Sequence, residues 1–367
     1  MGASARKLCI VNPYEHGGGA EYQIGLLIDA LAATGRYDVH YLARYPHEGA
    51  ARGNYRLTRI GSGPASRLGY VMDALPLYRA LLRLQPDVIY QRVACAYTGI
   101  CAVYSRRQRV PLVWHVAHDT DITPRVLDAG RNLLRLQLEK YTARFGARRA
   151  TRIVVQSEHQ AELLRTHFGR DADAIVPNFH PPATQTIDKS GPPTVVWIAN
   201  LKQWKRPEAF VRLAAGLRDR VAARFIMVGA PADAVSGRDW QPSLMQSIAA
   251  TPNLEYLGRR SHDEVNELLA RARVYVNTSE HEGFPNTFIQ AWQRECAVVS
   301  LSVDPDRVLE RQRVGICAQS EPALAQAVTA LLEDPGMLAG YAGRGRDYAL
   351  RQHSLANAQS LIRLLDA

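Results

Sequence analysis

The feature that most constrains this chain is an alternation, run through twice, of short apolar strand-like segments with helical periods. LCIVNPY, DVHYLAR, DVIYQR, PLVWHVA and RIVVQS are short β segments, several of them nearly continuous apolar runs, the pattern of strands buried on both faces of a parallel sheet. Between them lie helices: Ile24, Leu27, Ile28 and Leu31 keep the spacing of a one-sided apolar stripe, and Ser66 to Leu84 is helix-compatible. The stretch FHPPATQTIDKSGPP, residues 179–193, then interrupts the pattern with four prolines and no periodicity. A second series follows, TVVWIAN, RFIMVGA, NLEYLG, VYVNTS and AVVSLSV, separated by helices such as the one carrying Phe210, Leu213, Ala214 and Leu217. Two βα series predict an α/β protein of two doubly wound domains. The expected boundaries are 1–180 for the first, 181–193 for a linker and 194–345 for the second, with 346–367 a helix packing back on the first.

Charge separates the halves. The formal net charge is +10, but residues 1–190 hold 25 Lys and Arg against 16 Asp and Glu, and the rest holds 20 against 19. An anionic partner is therefore expected to meet the first half. The chain has none of the aromatic-basic motifs of nucleic-acid modules, so no nucleic acid is expected. No apolar run approaches the ~20 residues that span a bilayer, and MGASARKLCIVNPY lacks a signal-peptide core, so a soluble, cytoplasmic protein is expected. Cys9, Cys95, Cys101, Cys296 and Cys317 are odd in number and lack metal-ligand spacing, which reads as reduced core thiols.

The most informative stretch is SEHEGFPNTFIQAW, Ser279 to Trp292, which leaves a strand and enters a helix with Pro285 near its first turn. Such a helix start presents free backbone N–H groups and a positive dipole end, a site for phosphate or pyrophosphate. Glu282 just before it can accept hydrogen bonds from sugar hydroxyls. Glu280 and Glu282 could equally do no more than favour the dipole, but the company of Gly283, Phe284, Pro285 and Asn286 favours a site. Gly18 and Gly19 lie between the first strand and first helix, where a missing Cβ lets backbone amides approach a phosphate. HGGGAE lacks the spacing of a dinucleotide fingerprint, which counts against an oxidoreductase. WHVAHDTD, Trp114 to Asp121, offers His115, read as a core or supporting histidine, and His118 at a strand end. In the helix-like stretch from Arg131 to Arg149, Leu134, Leu138, Tyr141 and Phe145 form one stripe flanked by Arg131, Arg135, Lys140, Arg144 and Arg148. That layout fits a core helix with a solvated outer face, and also a helix lying in an anionic membrane surface.

The Ser279 to Trp292 segment resembles the E-x7-E region of retaining glycosyltransferases of family 4, and looks like the subset reading EGFPNT. GGAE at Gly18 to Glu21, PDVIY at Pro86 to Tyr90, IVPN at Ile175 to Asn178 and IANLKQWKRPE at Ile198 to Glu208 follow in the family's order. The resemblance implies the GT-B fold, two Rossmann-like domains facing each other across a cleft. It also implies Glu282 and His118 as catalytic residues, and Gly18, Gly19, Asn200, Lys205, Gly283, Phe284, Pro285, Asn286, Thr287 and Gln290 as donor-binding residues. His118 with Asp119 is similar to the family's His-Asp near the donor sugar and acceptor. Two positions depart from the pattern. Gln290 stands where most members have the second glutamate, which holds the nucleotide ribose, and Asn200 stands where they have an arginine, leaving Lys205 as the matched cation with Lys202 and Arg206 nearby.

The resulting expectation is a retaining, metal-independent transferase moving a sugar from a UDP- or GDP-sugar to a glycan or lipid-linked acceptor. No cofactor is expected beyond that co-substrate, and no metal. Asp119-Thr-Asp121 and Asp304-Pro-Asp306 match the metal-binding D-x-D of the other major transferase fold only superficially. The expected setting is surface polysaccharide or glycolipid assembly, on the cytoplasmic side and peripheral to the membrane through the first domain. A sugar-nucleotide epimerase of the same fold is the alternative, and a non-enzymatic nucleic-acid binder the remoter one.

Overall fold

The structure, a computed structural model, describes residues 5–46, 53–61, 69–123, 133–231 and 240–367, with the side chains of 133–136 left aside. The chain forms two units, Met1–Phe179 with Leu355–Ala367, and His180–Ser354.

The first unit contains β1 (Arg6–Val11), α1 (Gly19–Ala32), β2 (Tyr37–Ala43), β3 (Arg56–Arg59), α2 (Ala74–Leu84), β4 (Val88–Arg92), α3 (Ala96–Gln108), β5 (Leu112–His115), α4 (Leu133–Arg149), β6 (Arg152–Val155), α5 (Glu158–Phe168) and β7 (Ala174–Ile175). Its sheet is parallel throughout, in the order β3-β2-β1-β4-β5-β6-β7. Alternate residues of β1 feed opposite cores: Cys9 and Val11 join Leu77, Leu81, Trp114 and Leu164, while Leu8 and Ile10 join Ile24, Leu27 and Ile28. Burial on both faces explains the unbroken apolar runs of the sequence.

The second unit contains β8 (Thr194–Ile198), α6 (Pro207–Leu217), β9 (Arg224–Val228), α7 (Trp240–Ala249), β10 (Leu254–Tyr256), α8 (His262–Arg271), β11 (Val274–Asn277), α9 (Asn286–Gln293), β12 (Ala297–Ser300), α10 (Val308–Arg311), β13 (Gly315–Cys317), α11 (Glu321–Glu333) and α12 (Pro335–Gln352). Its parallel sheet runs β10-β9-β8-β11-β12-β13. Here too β8 alternates, Val195 and Trp197 toward one core and Val196 toward the other. The last helix, α13 (Ala356–Asp366), returns to the first unit, where Leu361, Ile362 and Leu365 pack with Ile24 and Leu27.

Three differences from the sequence reading have physical causes. The returning segment begins at Leu355 rather than at 346, because α12 continues to Gln352, with Gly345 fitted so closely to the Trp292 indole that a Cβ there would lie 2.3 Å from it. The proline-rich stretch is part of the second unit. Asp188 N–H donates to Ala270 O and Lys189 Nζ to Leu269 O, fastening it to α8. Finally, α4 buries its expected stripe only in part: Leu138 and Phe145 are half-buried, Phe145 against the first core, and Tyr141 is exposed. It meets α3 through Gly146 and Gly99, where a Cβ would come within 2.3 Å of Thr98 and 2.4 Å of Thr142, and it buries Ala143 and Ala147. Tyr141 is 73% exposed, and the side chains of Arg131, Leu134 and Arg135 lie outside the described residues. Close helix contact requires small residues at the crossing, which is why the buried positions among the described side chains of α4 are Ala143, Gly146 and Ala147.

All five cysteines are free, four of them buried and Cys317 half-buried. Among the described residues no helix is long and apolar enough to cross a membrane.

Candidate active site

In an open parallel sheet the loops leaving the carboxyl ends of the two strands that flank the reversal of strand order form the natural ligand crevice. In the second unit those strands are β8 and β11, and their loops are the two segments singled out in the sequence. The loop after β8 carries Asn200, half-buried, then a tight turn at Gln203–Lys205. The loop after β11 carries Thr278 to Pro285. The two are tied together at several levels. Trp197 Nε1 donates to Thr278 Oγ1 at 2.8 Å, Thr278 Oγ1 donates to Lys205 O at 2.7 Å, and Glu280 N–H donates to Trp204 O at 2.9 Å.

On this base Lys205 Nζ forms an ion pair with Glu282 Oε1, with only 15% and 12% of the two side chains exposed. Ser279 Oγ donates to the same oxygen at 2.7 Å. Burial lowers the Lys205 pKa from its usual value, and the Glu282 charge opposes that shift. Lys205 Nζ also sits 4.1 Å from the Trp204 ring centroid, and Trp204 stacks on His281 at 5.4 Å and 12°. A cation held this way is preorganised, and an arriving anion need not order it. Arg206 is turned away, paired with Glu321 at 2.9 Å, a carboxylate that also holds Arg212. Lys202 Nζ lies 5.8 Å from the Trp204 ring.

Beyond Gly283 the chain enters α9 at Pro285, which contributes no side-chain cap. Phe284 is buried against His353, at 4.4 Å between centroids, and Trp292, at 6.2 Å, so the ring anchors the loop in the core. Asn286 Oδ1 faces His180 Nε2 at 3.2 Å, and Thr287 Oγ1 accepts from Tyr275 Oη at 2.8 Å. Gln290 is 4% exposed and its Nε2 donates to Asn266 Oδ1 of α8 at 3.1 Å.

In the first unit the order reverses between β1 and β4. Gly18 precedes α1 in extended backbone, and a Cβ there would lie 2.5 Å from Glu21 Oε2, so glycine leaves room for the carboxylate to fold back. Glu21 Oε1 accepts from Asn12 Nδ2 at 2.8 Å, and burial raises its pKa. Gly19 opens α1. At the end of β4, Arg92 is buried and donates to Asn178 Oδ1 at 2.6 Å, and its Nη1 lies 3.4 Å from His115 Nδ1. His115 is wholly buried; burial first, and Arg92 second, hold its pKa well below the ordinary value. His118 follows β5, and its Nδ1 accepts from Thr120 N–H at 3.1 Å, which in the neutral ring puts the proton on Nε2. The N–H groups of Ala117 and His118 donate to Asp121 Oδ2 at 3.1 and 3.0 Å, and Gln160 Nε2 donates to Asp119 Oδ1 at 3.0 Å. Asp304 accepts from Leu309 N–H at 2.8 Å. Among the described residues no cluster of three His, Cys, Asp or Glu could hold a metal ion.

Lys205 and Glu282 are thus brought together, with Asn286 and Thr287 at the helix start two and three residues beyond Phe284. Sequence reasoning passed over the partners that fix them, Thr278, Ser279, Trp204, His180 and Tyr275, and in the first unit it passed over Asn12 beside Glu21 and Arg92 beside His115. The one local signal was the polar pair closing the apolar strand VIYQR.

Each unit matches its own family of sugar-transferring enzymes. Residues 17–182 match the family described as Glycosyltransferase Family 4, and residues 192–334 the one described as Glycosyl transferases group 1. With two parallel α/β units in this order, the chain is a glycosyltransferase of the GT-B fold. Solved structures similar to it include the sucrose-phosphate synthase of Thermosynechococcus elongatus, at TM-score 0.76 and 17% identity over 98% of both chains. HepE of Anabaena in complex with UDP and glucose is similar at TM-score 0.78 and 16% identity, over 98% of this chain and 99% of that one. WaaG, a glycosyltransferase involved in lipopolysaccharide biosynthesis, is similar at TM-score 0.76 and 14% identity over the same shares. At these identities the likeness shows the fold. No curated protein matches the sequence.

Proposed function

We propose that this glycosyltransferase is retaining and metal-independent, and that it moves a sugar from a UDP- or GDP-sugar to a hydroxyl of a glycan or lipid-linked acceptor. The observation that carries the reading is the buried Lys205–Glu282 pair, placed at the order reversal of the second sheet and just before the start of α9. Departure of a nucleoside diphosphate concentrates negative charge on the leaving oxygen. A preorganised ammonium and a helix N-terminus are the groups that stabilise such charge without a metal. Glu282 holds the sugar hydroxyls, and His118, with its proton on Nε2, orients the acceptor. Same-face attack assisted by the leaving phosphate requires no second carboxylate as nucleophile. UDP is favoured over GDP because the similar HepE is seen with UDP and with UDP-glucose. The role of WaaG in lipopolysaccharide biosynthesis supports a surface-glycan acceptor. The basic first half and the exposed Tyr141 on α4 support a peripheral membrane setting.

A thermal-shift screen of UDP-, GDP-, dTDP- and ADP-sugars tests the donor. A ligand at 100 times its Kd stabilises by ~2.7 kcal/mol, and a UDP- or GDP-sugar is expected to raise the melting temperature equally with and without chelator. A response to none of the four, or a response that vanishes with chelator, contradicts the reading.

A further inference from the structure

The first turn of α9 begins with two short polar side chains, Asn286 and Thr287, behind a proline that caps nothing. Short polar side chains at a helix start ordinarily compete for the free backbone N–H groups there. Here both are engaged from elsewhere. His180 Nε2 meets Asn286 Oδ1, and Tyr275 Oη meets Thr287 Oγ1, at 3.2 and 2.8 Å. Both partners are fixed. His180 is 2% exposed and its backbone N–H donates to His353 O at 2.9 Å, while Tyr275 is 1% exposed within β11. An amide oxygen only accepts, so the imidazole donates through a protonated Nε2. Burial holds the His180 pKa down at about 3, so the ring does this while neutral.

We propose that His180 and Tyr275 are positioning residues that hold the Asn286 and Thr287 side chains off the amide groups of α9 and so keep that helix end open to the diphosphate of the donor. This rests on the donor-site reading above and adds to it a reason for two buried residues 106 and 12 positions from their partners. Loss of the histidine removes the donor that holds Asn286 Oδ1, so that this oxygen can turn toward the N–H groups of its own first turn in competition with the ligand.

The test is calorimetric titration of UDP into the full chain and its variants, each checked for folding by thermal melting. His180→Ala is expected to weaken UDP by about five- to tenfold, the strength of one hydrogen bond. His180→Gln, which keeps a donor, stays close to wild type. The decisive variant is His180→Ala with Asn286→Ala: removing the released oxygen restores affinity above that of His180→Ala alone. A merely structural role makes the double variant no better than the single one, and that result, or an unchanged His180→Ala, overturns the inference. Wild type that binds none of UDP, GDP, dTDP or ADP overturns the donor-site reading instead.

Discussion

Replacing Lys205 by methionine keeps the length of the side chain and removes its charge, which leaves Glu282 as a carboxylate with 12% of its side chain exposed and its cation gone. Breaking a buried ion pair by removing one partner costs about 3 to 5 kcal/mol, most of it the penalty of the stranded charge. For a unit the size of His180–Ser354 that lowers the melting temperature by on the order of 10 °C. Adding Glu282→Gln removes the stranded charge and is expected to recover most of that loss. Activity should not follow stability. A missing preorganised charge at the leaving group costs about 10²- to 10³-fold in turnover, and neither the single nor the double variant supplies one. The assay pairs thermal melts with nucleotide release from the donor selected by the thermal-shift screen. If Lys205→Met melts with wild type, the pair is not a buried unit. If the double variant regains transfer along with stability, Lys205 acts only on the fold.

Three further outcomes are expected. The pKa of His180 lies below the usual 6.5, so the unfolded chain binds a proton that the folded one refuses. Its contribution is intact above about pH 6.5 and is lost at about 1.4 kcal/mol per pH unit as pH falls toward 3; the stability gap between wild type and His180→Gln should narrow accordingly in denaturant titrations between pH 7 and 5, and a constant gap contradicts this. Gly146→Ala places a Cβ 2.3 Å from the Thr98 backbone and should cost about 1 to 3 kcal/mol or more by denaturation, whereas Gly343→Ala, within α12 and with no neighbour inside 4 Å, should be stabilising by about 0.5 to 1 kcal/mol. The chain should sediment with phosphatidylglycerol vesicles at low salt and be released as salt rises, and Tyr141→Ser should weaken that binding; sedimentation indifferent to both salt and Tyr141 removes the membrane-facing proposal.

Much of the fold was legible because parallel strands buried on both faces announce themselves as apolar runs. The strands passed over, β3, β7 and β13, are all at sheet edges and only two to four residues long; β3, reading RLTR, is largely exposed and has no pattern to find. The strand readings that ran long, such as VYVNTS and TVVWIAN, overshot into the loops after β11 and β8, which carry Thr278, Ser279 and Asn200. At the candidate site, Glu282, Lys205 and the helix start at Pro285 could be singled out because each lies in a short local motif. His180 beside Asn286, Asn266 beside Gln290, and Arg92 between Asn178 and His115 could not, since no local periodicity encodes partners 23 to 106 positions apart. The α4 face was legible only in part for a related reason: helix contact at Gly99 and Gly146 selects small residues, which a hydrophobic period does not weigh.

The central claim is that the second unit holds the diphosphate of a nucleotide-sugar at Lys205 and the start of α9. A crystal structure of the chain with UDP tests it directly. The account predicts phosphate oxygens about 3 Å from Lys205 Nζ and from the backbone N–H groups of Asn286 and Thr287, with the Asn286 side chain still on His180. A diphosphate bound away from Lys205, or one that leaves the Lys205–Glu282 pair closed and the α9 amides untouched, would contradict it.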